Sequence, residues 1–175
     1  LTSSGDADIF IAKLSSSGSW QWAVKAGGAD YDYARDITVD SSGNAYVIGY
    51  FMSQTPTFGS TNLMSSGGDD IFIAKLSSSG SWQWAVKGGG SDDDRGNGIA
   101  VDSSGNVYAT GDFGQSAIFG STYLPQCNSC YTGTFIAKLD GADTDNDLVP
   151  SGWDNCPNIA NSNQTDTDWD FDGDV

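Results

Sequence analysis

The sequence lacks histidine and glutamate altogether, and only seven of its 175 residues are lysine or arginine. Without histidine, neither a Ser-His-Asp triad nor a Cys-His pair can form within this chain. All 23 acidic residues are aspartate, which favours turns because its short side chain bonds nearby backbone groups. The missing glutamate is a good helix former, and 23 glycines are present. The composition therefore predicts strands and tight turns with almost no helix.

Positive charge is too scarce to balance the aspartates, and the net charge is −16. Phosphate binding needs a lysine- and arginine-rich surface, so neither nucleic acid nor an anionic membrane is an expected partner. No apolar run is long enough to insert into a membrane, and no signal peptide is visible. The sequence looks like a fragment, so the missing signal gives no destination. Aspartate-based acidity suits Ca²⁺, a hard cation with oxygen ligands, while solubility alone is the simpler explanation for the first 139 residues.

The chain contains only three cysteines, which is too few for a structural zinc site without histidine. Cys127 and Cys130 form a Cys-x-x-Cys spacing, but no helix is predicted beside them, which disfavours a redox motif. We interpret them as a short disulfide in an exported protein. Cys156 is then left over, and its pairing with the 127–130 loop stays open.

A long internal repeat is the main feature that is present. Residues 8–28 recur at 70–90 with one change, Ala26 to Gly88. The segment VDSSGNAYVIGYF (39–51) returns as VDSSGNVYATGDF (101–113). A fixed period of this kind indicates a supersecondary unit copied in tandem, which needs neighbours to bury its apolar faces.

Each repeat unit contains four runs that are typical of strands. The run IFIAKL (9–14) is apolar on both faces, so it needs cover on both. The run WQWAVK (20–25) alternates, which predicts Trp20, Trp22 and Val24 on one face. The backbone N–H groups of the turn after Asp40 are predicted to donate hydrogen bonds to the Asp40 carboxylate. Gly43 in this turn is predicted to have a positive φ.

These residues resemble the bacterial beta-propeller repeat. The carriers in the second copy are residues 70–76, Gly80, Trp84, 89–90 and 99–108. The resemblance covers roughly 1–139 and implies an all-β fold of four-stranded blades. It implies the strand order ITVD, AYVIGYF, DIFIAKL and WQWAVK from the inside outward. Family members are typically secreted or surface scaffolds rather than enzymes.

The repeat count is too low for a closed propeller, which needs roughly four to eight blades. Residues 6–28 supply the outer half of a blade, 33–88 a full blade and 97–139 an inner portion without its WQW strand. The ring is therefore expected to be incomplete within this chain. The unit is also longer than a usual blade, and we assign the surplus at 52–69 to a lengthened connection or an additional hairpin.

The last segment, 140–175, holds ten of the 23 aspartates and no positive charge. It resembles a thrombospondin type 3 calcium-binding repeat. The resemblance predicts an irregular Asp-rich domain that binds Ca²⁺ through loops similar to those of EF-hands. The first loop would use Asp143, Asp145, Asp147, the Val149 carbonyl and Asp154. The second would start at Asp166 or Asp168 and draw on Asp166, Asp168, Asp170, Asp172 and Asp174, with its final ligand beyond Val175 in either register.

The first predicted loop departs from the pattern at two positions. Leu148 stands where glycine is expected, and Ser151 replaces an aspartate, so water or its hydroxyl would complete the shell. In the thrombospondin-type family, the cysteine that matches Cys156 commonly bridges to a neighbouring repeat. The alternative for the whole segment is a solvated acidic linker.

Two further groups of residues have alternative explanations. The aspartates at 30–36 and 92–94 recur in corresponding loops, so we expect solvated loops in preference to accessory Ca²⁺ sites or catalysis. The pairs Trp20/Trp22 and Trp82/Trp84 are expected to pack between blades, although they also suit stacking on sugars.

Together these observations predict a non-catalytic extracellular or cell-surface protein that is structural or adhesive. Its partners would be copies of itself, stacked through blade faces into a filament, or adjacent blades of a longer chain. A glycan- or protein-binding module is the alternative, and a pocket lined by residues that differ between repeats, such as 112–133, would favour it. An enzyme would need a unique carboxylate pair in a cleft, and none is evident.

Overall fold

The computed structural model describes residues 1–125 and 132–139, and every regular element in these ranges is a β-strand. The strands, in chain order, are β1 (Ile9–Leu14), β2 (Trp20–Ala26), β3 (Asp32–Val39), β4 (Ala45–Phe51), β5 (Thr57–Phe58), β6 (Thr61–Asn62), β7 (Asp70–Leu76), β8 (Trp82–Gly89), β9 (Asp94–Val101), β10 (Val107–Gly114), β11 (Ala117–Phe119), β12 (Thr122–Leu124) and β13 (Thr132–Leu139). A search of these ranges finds no helix capable of crossing a membrane.

The strand order confirms the predicted blade. Strands β3, β4, β7 and β8 pair antiparallel in that sequence and form one full blade, the second blade below. The β1–β2 pair forms the outer half of a first blade, and β9, β10 and β13 form three strands of a third. The predicted all-β fold of propeller-type blades is therefore correct, and the described residues close no ring. The predicted acidic domain, 140–175, lies outside the described residues.

The surplus residues form an additional hairpin that connects successive blades. Strands β5 and β6 pair with each other, and Thr57 exchanges two backbone hydrogen bonds with Gly27 at the end of β2, at 3.0 and 3.1 Å. In the next repeat, β11 and β12 form the same hairpin, and Ile118 pairs with Gly89 at the end of β8. Each hairpin therefore extends the outer strand of the preceding blade. We call these two hairpins the strap hairpins.

The second blade is covered on both faces, as the two-sided apolar pattern predicts. All seven residues of β4 are buried, and in β7 only Lys75 is not. One apolar cluster joins this blade to the first and contains Ile9, Phe72 and the strap residue Phe58. A second cluster joins it to the third and contains Ile73 and Phe135.

The turns confirm the expected chemistry. The carboxylate of Asp40 accepts the N–H groups of Ser42 and Asn44, each at 2.9 Å, and Gly43 has a φ of +79°. The repeat copy at Asp102 makes the same contacts. These bonds fix the hairpins that join the first two strands of the second and third blades.

The predicted placement of the tryptophans on one face is wrong. The register shifts by one residue between Lys75 and Leu76, so Leu76 lies opposite Trp82 while Lys75 lies opposite Trp84. Trp82 therefore packs towards the first blade, with its ring 5.4 Å from Phe58, and Trp84 packs towards the third. A β-bulge reverses the alternation, and the sequence pattern alone does not reveal it.

Gly18 and Gly80 provide a matched test of blade packing. They occupy the same turn in successive repeats, with φ values of +82° and +85°. A methyl group at Gly18 meets nothing within 4 Å, whereas at Gly80 it would lie 2.7 Å from the Trp22 ring of the first blade.

We expect Gly18→Ala to lower the free energy of unfolding by about 1–2 kcal/mol through backbone strain alone. Gly80→Ala is expected to lower it by about 1–3 kcal/mol more, because the methyl group overpacks the contact between blades. Urea denaturation of both variants measures the difference. Equal losses would show that the turn of the second blade does not pack on Trp22.

Candidate functional site

The predicted metal and disulfide residues cannot be placed. The calcium ligands from Asp143 to Asp174 lie outside the described residues, as do Cys127, Cys130 and Cys156. These assignments stay predictions. Within residues 1–125 and 132–139, no group of three or more aspartate or cysteine side chains is arranged to hold a metal ion.

An exposed apolar surface lies on the side of the first blade that faces away from the second. Phe10 is 69% exposed, while its repeat equivalent Phe72 is fully buried. Leu14 is 48% exposed, and its equivalent Leu76 is fully buried. Phe72 and Leu76 have a neighbouring blade and inner strands beside them, and Phe10 and Leu14 have neither. We define the leading face by the exposed apolar side chains of the first blade together with those of β3 that no inner strand of the first blade covers: Phe10, Leu14, Trp20, Ile37 and Val39.

The opposite end of the three-blade stack has its own exposed surface. Ile136 of β13 is 86% exposed, whereas its equivalent Ile73 is fully buried against the third blade. Tyr108 is 39% exposed, and its equivalent Tyr46 is buried in the same cluster. We call Tyr108 and Ile136 the trailing face. Each end therefore exposes residues that the interior junctions bury.

A groove of about 290 Å³ marks where two strands of the first blade are missing. Its walls come from β1 on one side and from β3 and β4 on the other, including Phe10, Ala12, Ile37 and Val47. In the second blade, the corresponding edge of β7 pairs with β4. The groove therefore lies where the two inner strands of a complete first blade would lie.

A pair of buried carboxylates lies at the junction of the second and third blades. Asp70 and Asp94 are both fully buried, and one oxygen of each points at Gly89. A Cβ on Gly89 would stand 2.6 Å from Asp70 Oδ1 and 2.8 Å from Asp94 Oδ2. Asp94 accepts the N–H groups of Gly90 and Gly114 at 2.6 and 3.1 Å, but Asp70 Oδ1 has no hydrogen-bond partner.

The first repeat contains the same arrangement around Gly27. Asp8 Oδ1 has no hydrogen-bond partner and lies beside Asp32, which is 1% exposed. The Asp32 carboxylate accepts the Ser53 hydroxyl at 2.8 Å and the Gly28 N–H at 2.7 Å. The expectation that these aspartates sit in solvated loops is therefore wrong for Asp32 and Asp94, because they cap backbone N–H groups inside the blade junctions.

Burial determines the ionisation of these pairs. It raises the pKa of Asp94 to about 7, and the negative charges of Asp70 and Asp92 add to the rise. Burial also raises the pKa of Asp70 and that of Asp32. The ammonium of Lys87 lies near the pair and donates to the Met64 carbonyl at 2.7 Å. Burial and the repulsion between the two carboxylates therefore both oppose the simultaneous ionisation of Asp70 and Asp94.

A further cluster combines tyrosine and arginine, and sequence reasoning missed it. The guanidinium carbons of Arg35 and Arg95 lie 5.0 and 5.3 Å from the ring centroid of Tyr50. Tyr33 packs against the same ring, and Tyr31 stacks on Tyr33. One signal was available in the sequence: Tyr33, Arg35 and Tyr50 become Arg95, Asn97 and Asp112 in the next repeat.

The buried pair makes stability depend on pH. The Asp94 carboxyl group has a pKa of about 7 in the folded chain and near 3.8 in the unfolded chain, so it holds its proton more tightly when the chain is folded. Its contribution to stability is fully present below pH 4 and is lost as the pH rises through 7.

Asp70→Asn tests this pair, because its amide can donate to Asp94 while its oxygen still accepts the Ser66 N–H. We expect it to raise the free energy of unfolding by about 1–3 kcal/mol at pH 8 and by much less at pH 5. Denaturant titrations across this range measure the effect. Asp30→Asn removes one exposed charge as the control. An equal effect of Asp70→Asn at both pH values would contradict the raised pKa of Asp94.

Comparison with known proteins agrees with the propeller-type blades. Residues 21–50 and 87–112 match the family described as beta-propeller repeat. The chain is 30% identical to the uncharacterised WD repeat-containing protein L264 of Acanthamoeba polyphaga mimivirus, in an alignment that covers 69% of this chain. The chain spans about 11% of the length of that relative. These two segments are thus similar to beta-propeller repeats, which agrees with the propeller-type blades of the fold.

Proposed function

We propose that the chain is a non-catalytic scaffold that assembles through the faces of its blades. The observation that carries this proposal is the contrast between repeat-equivalent residues: Phe10 is 69% exposed and Phe72 is fully buried. Removing a phenylalanine side chain from water is worth about 2–3 kcal/mol, so each exposed face has a strong tendency to be covered.

The proposed contact is head to tail. The leading face of one copy meets the trailing face of the next, as the second blade meets the third within the chain. The two surfaces are different, so the contact does not close on itself in a pair, and it generates rings or open filaments. Further blades of a longer chain would cover the same faces. Assembly between copies depends on protein concentration, whereas cover by blades of the same chain does not, so a concentration series distinguishes the two.

The absence of catalysis is part of this proposal. The carboxylate pairs recur in successive repeats and are buried, whereas a catalytic pair would be unique and open to substrate. Propeller repeats typically serve as scaffolds, and this chain has no histidine for acid–base chemistry.

The acidic segment gives the second element of the proposal. Calcium bound by the two predicted loops of 140–175 would stiffen the connection to whatever follows the blades. The two loops need enough free calcium to fill them, and a Cys127–Cys130 disulfide needs an oxidising environment. Both conditions are met outside the cell, so we propose an extracellular or surface location.

A glycan- or protein-binding module is the second candidate, and one observation favours it. The tyrosine and arginine residues around Tyr50 are not copied between repeats, yet they come together at one junction.

Assembly is tested by comparing two face variants with a matched control. We expect Leu14→Ser and Ile136→Ser each to weaken self-association by about tenfold or more, because each removes buried apolar area from the contact. Sedimentation velocity over a concentration series measures this.

Met64→Ser is the control, because Met64 is 51% exposed, close to Leu14 at 48%, and belongs to neither face. Its association should match that of the unaltered chain. A chain that stays monomeric at every concentration, or that weakens equally in all three variants, would contradict assembly through the blade faces.

Calcium binding is tested on the first loop. We expect the chain to bind Ca²⁺, and Asp145→Ala to reduce the affinity at least tenfold because it removes a charged ligand. Isothermal titration calorimetry measures both. Asp140→Ala removes the same charge outside the loop and should leave the affinity within about twofold. The calcium assignment fails if the unaltered chain binds no Ca²⁺ or if chelation leaves the protease resistance of 140–175 unchanged.

A further inference from the structure

One carboxylate oxygen at the junction of the second and third blades is buried without a partner. Asp70 is 0% exposed, and its Oδ1 accepts no hydrogen bond within the described part of the chain. The other oxygen, Oδ2, accepts the Ser66 N–H at 2.6 Å, so the carboxylate is anchored through Oδ2. Buried polar atoms without a protein partner are rare, and a bound ion is one explanation for them.

Gly89 leaves a small space into which two carboxylates point. A Cβ on Gly89 would lie 2.6 Å from Asp70 Oδ1 and 2.8 Å from Asp94 Oδ2. Any side chain at this position would fill the space, and the φ of +142° also favours glycine. Two oxygens from separate carboxylates thus converge on one place, as the ligands of a cation do.

The equivalent carboxylate pair of the first repeat is better supplied with hydrogen-bond donors. Asp32 Oδ2 accepts the Ser53 hydroxyl at 2.8 Å in addition to a backbone N–H. Gln115 stands in the place of Ser53 in the next repeat. Among the described residues, Asp94 Oδ2 accepts only the Gly90 N–H. The second pair therefore lacks a hydroxyl donor that the first pair has.

The lysine beside each pair is also placed differently. Lys25 Nζ lies 3.8 Å from Asp8 Oδ2 and forms an ion pair with it. Its equivalent, Lys87, donates to the Ser66 hydroxyl and forms no ion pair with Asp70 in the described part of the chain. Buried charges are costly unless they are paired, so the second pair is where a further positive charge is most favourable.

We propose that a monovalent cation, sodium or potassium, binds to Asp70 Oδ1 and Asp94 Oδ2. Carboxylate oxygens are the hard ligands that such ions prefer. The two carboxylates and the nearby Lys87 ammonium leave one negative charge, which one monovalent ion balances. Calcium usually takes about six to eight oxygens, often from several carboxylates. Within residues 1–125 and 132–139, no three aspartates are arranged to hold a metal, which favours the monovalent ion.

The ion would join two neighbouring blades. Asp70 opens β7 of the second blade, and Asp94 opens β9 of the third. A cation held by both carboxylates would convert their repulsion into a bridge across the junction. Because both ligands belong to one chain, this site does not rest on the proposed assembly through the blade faces, and either can fail without the other.

The test exchanges sodium chloride for choline chloride at constant ionic strength, because choline is too large for the site. Urea denaturation is followed at pH 8 with a calcium chelator, so that calcium binding to 140–175 does not contribute. We expect the folding equilibrium constant to rise at least tenfold from choline to saturating sodium or potassium, since an ion that binds only the folded chain stabilises it. Asp70→Asn removes one ligand charge and should respond less than twofold.

Asp8→Asn is the matched control, because Asp8 is the equivalent of Asp70 in the first repeat. It leaves the second pair intact, so its response to sodium should equal that of the unaltered chain. Equal stability of the unaltered chain in sodium, potassium and choline would overturn the inference. So would an equal loss of the response in both variants, or a stabilisation that only calcium produces and that Asp70→Asn abolishes.

A crystal structure in thallium(I) locates the ion directly, because thallium is a monovalent cation with strong anomalous scattering. We expect an anomalous peak in contact with both Asp70 Oδ1 and Asp94 Oδ2. A peak at Asp8 and Asp32 alone, or none at either pair, would contradict the assignment.

Discussion

Strands β4 and β7 are apolar on both faces, and this constraint determines most of what the chain does. A blade made from them is stable only between two neighbours, since an uncovered face leaves phenylalanine, isoleucine and leucine in water. The second blade satisfies this condition, and the first and third satisfy it on one side only. The exposed residues at the two ends are copies of buried ones, so the same side chains act as core or as contact surface according to their position in the stack.

Two kinds of residue share the junctions between blades. Copied residues, such as the Asp70–Asp94 pair around Gly89, recur with the same geometry and tie each blade to the next. Residues that are not copied, such as Tyr31 and Arg35, use the same backbone to present different chemistry. The junctions therefore combine residues that are the same in both repeats with residues that change from one repeat to the next.

Sequence reasoning reached the strands, their order, the additional hairpin and the turn at Asp40, because each depends on local pattern or on repetition. It did not reach the opposite orientation of Trp82 and Trp84, which follows from one extra residue in the outer strand. It also placed Asp32 and Asp94 in solvent, because burial depends on a neighbouring blade that lies far away in sequence. The contact of Arg95 with Tyr50 was equally out of reach, since it joins two blades.

The strap hairpins impose a direction on folding during synthesis. The outer strand of the first blade ends at Gly27, yet Thr57, its partner in the strap, is translated 30 residues later. The outer strand of a newly synthesised blade therefore gains its strap partner only after part of the following blade has been translated. A growing array is finished from its first blade onward, and an interrupted chain always ends in a blade without its strap.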